Sequence, residues 1–316
     1  MQIFNTIKRK LHTFMHTERI LTKKMEGTFI YRLLPDKLAL TLLYYNRFGR
    51  KINWNNPKTF SEKLQWLKLY NRNPLYTKLV DKYEVKKWVV EKIGAQYVTP
   101  TYGVWDSFDK IDFSQLPNQF VLKTTHGGGN TGVVICNDKK SFDIKSARAK
   151  LFLSLNADSY IISREWPYKN VPHRIIAEKY IDPVPDLNDL PDYKFFCFDG
   201  VVKALFIGTE RQKEGEDVKF DFFDDEFNHL PFRQGHDHAK VTPQKPKNFE
   251  LMKELAGKLS KGMPHVRVDF YDTGNEVLFG EMTFFHFSGM MPFEPEEWDY
   301  KFGEWLSLPK YGFINR

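Results

Sequence analysis

The segment FVLKTTHGGGNTGVVIC, Phe120 to Cys136, constrains the chain more than any other. β-branched and aromatic residues lead into it and out of it, and between them stand Lys123 and the glycines Gly127, Gly128, Gly129 and Gly132. Two strands joined by a flexible loop follow from that pattern. Such a loop can simply turn the chain, or it can lay backbone N–H groups against a phosphate, an approach that glycine's missing Cβ permits. It matches neither a Walker loop nor a dinucleotide fingerprint, so by itself it leaves both readings open.

Other strands are marked in the same way: QFVLKTT, RIIAEKYI, KFFCFDG, VKALFIGTE, HVRVDFY and EVLFGEMTFF, with turn signals at Asp199-Gly200 and Gly274-Asn275. Helical spacing is predicted after Asn56, where Thr59 and Glu62 form a capping-box pattern ahead of Phe60, Leu64, Leu67 and Leu69. A second helix is predicted over Leu79 to Gly94 and a third in FELMKELAGKLSKGM. These elements predict an α+β architecture with antiparallel sheets. With 316 residues and 41% hydrophobic content, the chain has room for two domains or one multi-lobed body around a sizeable core. Cys136 and Cys197 lie in apolar strand-like runs and read as reduced core thiols.

Charge is informative by position. Residues 1–51 hold eleven Lys/Arg against three Asp/Glu, a balance of +8, which leaves 36 against 37 in the remainder. In this basic arm Ile3, Phe4, Ile7, Leu11, Phe14 and Met15 recur at helical spacing among Lys8, Arg9, Lys10, Arg19, Lys23 and Lys24. Two readings follow: a helix packed on the body, or a basic amphipathic helix on an anionic membrane surface through residues 1–24. No nucleic-acid-binding module is recognisable. The longest apolar run, Leu38 to Tyr45, is far short of the ~20 residues that span a bilayer, and no secretory h-region is evident. The expected location is cytoplasmic, peripheral at most to the inner face of the membrane.

Near the other end, VRVDFYDTGNEVLFGEMTFF puts Arg267 and Asp269 on one face of a strand and Glu281 on the next. Two carboxylates brought together across a hairpin repel unless a cation lies between them, and hard oxygen ligands beside a phosphate select Mg2+. Two other constellations carry weaker signals. His236-Asp237-His238 has a ligating spacing for zinc but no third His or Cys at a customary distance in sequence. DFFDDEF, Asp221 to Phe227, reads as an acidic turn between strands, or as the Asp-x-Asp site of a metal-dependent glycosyltransferase.

Taken in order, DKYEVKKWV (Asp81 to Val89), VLKTTHGGGNTGV (Val121 to Val133), IIAEKYI (Ile175 to Ile181), DYKFFCFDG (Asp192 to Gly200) and RVDFY…FGEMT…SG (Arg267 to Gly289) resemble ATP-grasp enzymes. More narrowly, the chain resembles the TupA-like ATP-grasp group linked to bacterial surface polysaccharide synthesis, over roughly residues 56–295. The resemblance implies the ATP-grasp fold, two antiparallel-sheet lobes clasping ATP, with a helical N-terminal extension. It implies a basic arm at 1–55, a preceding region at 56–118, a small lobe with the glycine loop at 119–178 and a large lobe with the metal site at 179–316.

The resemblance also implies roles. Lys82 and Lys123 would contact ATP phosphates, with Gly127, Gly128 and Gly129 folding over them. The Lys179 carbonyl and the Ile181 N–H would read adenine, with Glu178 facing the nucleotide. Lys194 and Arg211 would converge on the transferred phosphate and the acceptor carboxylate, and Arg267 would offset charge that develops there. Asp269 and Glu281 would hold Mg2+. Thr283 stands where the family commonly has a ligating asparagine, and its hydroxyl can still bind Mg2+ directly or through water. Ser288 and Gly289 match a small-residue turn beside the acceptor. The implied activity is ATP-dependent amide formation through an acyl phosphate, joining an amino acid or other amine to a uronic-acid-containing glycan or its precursor. A glycosyltransferase and a non-catalytic glycan- or membrane-binding module are the competing expectations.

Overall fold

The computed structural model describes residues 28–129, 131–184, 189–210 and 218–310. The expectations placed on residues 1–24 and on Arg211 fall outside them.

The α+β reading is the architecture observed: two antiparallel sheets with helices packed on them. The described chain runs through helices α1 (Phe29–Leu33), α2 (Asp36–Phe48), α3 (Phe60–Tyr70), α4 (Leu75–Val80) and α5 (Glu84–Ile93) before the first sheet begins. Thr59 caps α3 as its sequence requires. The Thr59 hydroxyl accepts from the Glu62 N–H at 3.2 Å, and the Glu62 carboxylate accepts from the Thr59 N–H at 3.3 Å. Such a cap contributes about 1 kcal/mol. Phe60, Leu64 and Leu67 are buried as expected, and Phe60 meets Phe196 and Phe302 edge-on, which seats α3 on the larger sheet.

The single helix expected over Leu79 to Gly94 is instead two helices, broken at Asp81. That residue is extended (φ −74°, ψ 115°), and its carboxylate accepts from the backbone N–H groups of Tyr83 (2.8 Å) and Glu84 (3.2 Å) and from Arg174 (2.7 Å). A short polar side chain that satisfies the first N–H groups of α5 offers the backbone an alternative to continuous helix. The Lys82 N–H, freed from the helix, donates to the Thr125 carbonyl at 3.0 Å.

The smaller sheet has the order β1 (Thr101–Trp105), β4 (Ile175–Lys179), β2 (Phe120–Thr124), β3 (Val133–Cys136). Alternation divides its faces. Phe120, Leu122, Ile175, Ala177 and Cys136 pack with Ala147 and Leu151 of α6 (Ile144–Leu155), while Val121, Lys123 and Glu178 lie on the other side. The short helix α7 (Ser159–Ser163) leads back to β4.

The larger sheet has the order β7 (Lys219–Asp224), β6 (Val201–Thr209), β5 (Asp192–Phe198), β8 (Val266–Asp272), β9 (Val277–Thr283). The turn between β5 and β6 is Asp199-Gly200, both with positive φ (48° and 85°), the geometry a two-residue hairpin favours. Helix α8 (Phe249–Ser260) covers one face, and α9 (Glu297–Trp305) packs with α3 over part of the other. Cys136 and Cys197 are buried thiols without a disulfide. Among the described residues, no helix is long and apolar enough to cross a membrane.

Candidate active site

Between the two sheets lies a cavity of about 690 Å³, within the size range of small-molecule sites. Val121, Lys123 and Lys179 of the smaller sheet, Ile181 of the segment that leaves it, and Tyr271 of β8 all line it.

Lys123 reaches this cavity from β2 with its ammonium 2.8 Å from Glu178. Glu178 faces Val121 across the strand pair and is 5% exposed, and Lys86 of α5 is its second ion-pair partner. Burial opposes ionisation of Glu178, but the two ammonium groups outweigh it and hold the carboxyl below its usual value. Burial likewise opposes the charge on Lys123, and Glu178 overcomes it, so Lys123 is raised. Both groups are therefore charged at neutral pH. Lys86 also donates to the Thr99 carbonyl (2.7 Å) and the Thr101 hydroxyl (2.6 Å), which anchors α5 to β1. Sequence reasoning passed over Lys86. Its signal was a position four residues after Lys82 in DKYEVKK.

The break at Asp81 turns Lys82 toward the glycine loop, where its ammonium donates to the Gly127 carbonyl and stands 3.7 Å from Glu281 of β9. Lys82 thus links the two lobes. A Cβ at Gly127 or Gly132 would collide with the Thr124 hydroxyl, which shares a 2.7 Å hydrogen bond with Ser154; only glycine lets the loop close on that pair. Gly128 borders open space and Gly129 has φ +58°.

Across the cleft, one strand face gathers charge. Arg267 grips Asp269 with two hydrogen bonds, Nε to Oδ1 at 2.7 Å and Nη2 to Oδ2 at 2.6 Å, and Nη2 also donates to Glu281 at 2.9 Å. Lys194 lies 2.5 Å from both Asp269 and Asp192. A bulge between β8 and β9 leaves Gly280 and Glu281 opposite Asp269, and a Cβ at Gly280 would crowd the Asp269 carbonyl. Burial works against an ionised Glu281, yet Lys82 and Arg267 bring it down to about 2. Burial pushes Asp269 upward against the pull of Arg267 and Lys194.

His286, buried at 1% exposure, completes the cluster. Its Nδ1 accepts from Arg267 at 2.9 Å, so its proton resides on Nε2, which donates to Gln234 at 3.1 Å. Burial and the neighbouring Arg267 keep this ring neutral. Asp192, Gln234 and His286 were not singled out in the sequence. Only the position of Asp192, two residues before Lys194, could have signalled it.

Glu281 offers the oxygen best suited to a hard divalent cation, since both oxygens of Asp269 are engaged by Arg267 and Lys194. Glu281 is ionised and 34% exposed in its side chain; its Oε1 accepts from Arg267 and from the Thr283 hydroxyl (3.2 Å), while its Oε2 faces Lys82 at 3.7 Å, beyond hydrogen-bond distance. Oxygen acceptors with remaining lone pairs suit Mg2+. Thr283 orients Glu281 in this arrangement.

Ser288 and Gly289 lie in a turn with three successive left-handed residues, Phe287 (φ 46°), Ser288 (57°) and Gly289 (61°). Conformations this costly persist only where the surroundings impose them. Here Lys68 of α3, fully buried, donates to the carbonyls of Ser288 (2.8 Å) and Ser163 (2.9 Å), and Gln65 donates to those of Ser288 (2.9 Å) and Gly289 (3.1 Å). The Ser288 hydroxyl donates to Glu165. Burial pushes Lys68 down to about 8 and raises Glu165. An added Cβ at Gly289 would lie 2.5 Å from Gln65 Nε2 and 2.9 Å from Leu64 Cβ. Gly289→Ala is therefore expected to cost about 2 kcal/mol in chemical denaturation. An unchanged midpoint would mean that the turn and α3 separate easily.

The acidic turn is otherwise engaged. Asp224 accepts from the N–H groups of Glu226 (3.0 Å) and Asn228 (2.8 Å), so it shapes its own loop, and Asp221 is a buried strand residue.

A family model described as TupA-like ATP-grasp matches residues 62–307. No curated protein matches the chain. Similar solved structures include the D-alanine–D-alanine ligase from Bacillus anthracis, at 16% identity over 65% of this chain and 57% of that one, with a TM-score of 0.39. The D-alanine–D-alanine ligase from Helicobacter pylori is also 16% identical, over 79% of this chain and 69% of that one, with a TM-score of 0.41. The ATP-grasp ligase PsnB, complexed with its minimal precursor, Mg and ADP, is 11% identical over 71% and 57%, with a TM-score of 0.37. The chain spans little more than half the length of the Bacillus anthracis ligase.

Proposed function

The chain belongs to the TupA-like ATP-grasp family, and from that premise we propose that it is an ADP-forming carboxylate–amine ligase. The observation that carries the reading is the pairing of two charged surfaces across one cleft. Lys82, Lys123 and the glycine loop lie on one side, and Lys194, Arg267, Asp269 and Glu281 on the other.

ATP and an acceptor carboxylate are both anions, so their approach needs fixed positive charge. In the structure each of the four cations is already paired with a carboxylate, which holds its side chain in place before any phosphate arrives. Preorganisation of this kind removes the cost of ordering the groups during the reaction. Lys123 and Lys82 would bind the phosphates under the glycine loop, and the segment Lys179 to Ile181 would lie along the base. Lys194 and Arg267 would face the transferred phosphoryl group, with Arg211 as a further cation. Mg2+, held by Glu281 with Asp269 and Thr283, would neutralise charge on the polyphosphate.

The reaction proceeds in two balanced steps. A carboxylate oxygen attacks the γ-phosphorus and ADP leaves. The amine nitrogen then attacks the acyl carbon, loses a proton and expels phosphate, leaving an amide. We read the carboxylate as a uronic acid of a surface polysaccharide or its precursor and the amine as an amino acid, a choice supported by the family resemblance. Beside Ser288 and Gly289 the turn would receive the acceptor. The glycosyltransferase reading loses support because Asp224 is committed to its own loop.

The test is a panel of uronic acids and amino acids incubated with ATP and Mg2+. ADP and phosphate should form in step with amide, and oxygen-18 placed in the acceptor carboxylate should appear in the phosphate. Release of AMP and pyrophosphate would replace this mechanism with adenylation.

A further inference from the structure

We propose that Asp221, His229 and His238 form a second metal site, for a borderline transition-metal ion of the Zn2+ class, on the side of the larger sheet away from the cleft. The register places it there. Asp221 is aligned with Ile207, Tyr193 and Phe270 across β7, β6, β5 and β8, one position out of step with the row that contains Phe222, Phe206, Lys194 and Asp269. Side chains alternate along a strand, so Asp221 and Asp269 point to opposite faces.

Asp221 is 0% exposed, and a buried carboxylate requires compensation. Its Oδ2 accepts from the Ala239 N–H at 3.0 Å, which fixes the plane of the group. Its Oδ1 lies 3.0 Å from His229 Nε2 and 3.3 Å from His238 Nδ1. All three candidate ligand atoms fall within 4.8 Å of one another. His238 Nδ1 is the telling atom: it is buried, and despite its closeness to Asp221 it makes no hydrogen bond. That nitrogen is therefore uncommitted and open to a ligand.

Metal–ligand bonds of about 2.0–2.1 Å in a tetrahedron put ligand atoms roughly 3.3–3.4 Å apart. Two edges of this triangle are already near that value. Both rings are partly open to solvent, at 33% and 29% of their side chains, so water can fill a fourth position. Two imidazoles and one carboxylate suit Zn2+, and Mg2+ would prefer oxygen throughout. His236, the other half of the His-x-His pair in the sequence, is not a member, since it packs against Phe220 and Phe287.

The ion would fasten the segment between His229 and His238 to the edge strand β7. Gln234 lies in that segment and holds His286, which in turn positions Arg267. Metal occupancy is thereby coupled to the placement of a candidate catalytic cation.

Cobalt titration of the chelator-treated full chain in excess Mg2+ tests the assignment. One equivalent should give the intense visible absorption of a tetrahedral site, and Zn2+ should displace it. His229→Ala and His238→Ala should each weaken Zn2+ binding by more than about 100-fold, beyond the loss usual for an outer partner of a ligand. Glu281→Gln should leave it unchanged. Absence of tetrahedral absorption in the wild-type chain would overturn the proposal even if the variants fail to fold, and so would absorption that survives His238→Ala or vanishes with Glu281→Gln.

Discussion

Glu281→Gln is expected to lower turnover by about 10³-fold, the scale seen when one preorganised electrostatic contact to a developing charge is lost. The amide keeps the shape of the carboxylate and can still accept from Arg267 and Thr283, so the fold and the proposed adenine contacts should persist. What disappears is the negative charge beside Lys82 and Arg267, and with it the principal oxygen ligand proposed for Mg2+. ATP affinity measured by calorimetry should change by less than about tenfold, while phosphate release should nearly stop. Full turnover by this variant would remove the metal assignment. The pH behaviour follows from the same contacts. Glu281 sits at about 2 against an ordinary 4.5. Its folded value is depressed, so the stability it contributes is complete above about pH 4.5 and is lost as pH falls toward 2. Activity at neutral pH should therefore show no dependence on its ionisation.

Lys123→Ala should act on two quantities that a double variant can separate. Loss of a charge-assisted contact to phosphate costs about 1.5–3 kcal/mol, or roughly 10- to 150-fold in ATP affinity. The same change leaves the buried Glu178 with Lys86 alone. Breaking a buried pair outright costs about 3–5 kcal/mol, and the surviving partner should reduce this to about 1–3 kcal/mol. Adding Glu178→Gln removes the uncompensated charge and should restore most of the stability but none of the ATP affinity. If the double variant regained affinity as well, Lys123 would serve only to neutralise Glu178.

Much of the architecture was legible because it depends on local rules. Asp199-Gly200 and Gly274-Asn275 prescribe hairpins through their tolerance of positive φ, and both hairpins are present. The cap at Thr59 and Glu62 is a contact between residues three apart, so it could be read directly. Arg267 and Asp269, two apart on a strand, had to share a face, and the structure joins them in a bidentate pair. The break at Asp81 was not legible, because the apolar spacing runs on unchanged across it. It is imposed by Arg174, ninety-three positions away, and by the N–H groups that the carboxylate satisfies.

The sequence by itself determined most of the strands and their turns, the capping of α3 and the composition of the charged motifs, since each follows from periodicity or from the conformational range of one or two residues; β7 is the exception, because its Asp221 to Asp224 half reads as an acidic turn. Tertiary structure alone decided which charges distant in the chain meet. Lys86 joins Lys123 at Glu178, Lys82 spans from Gly127 to Glu281, and Asp221 finds His229 and His238. A charge in a sequence carries no partner. Its partner is chosen when burial strips water from both groups and only a neighbour of opposite sign, brought in by strand register or a helix bend, can replace it.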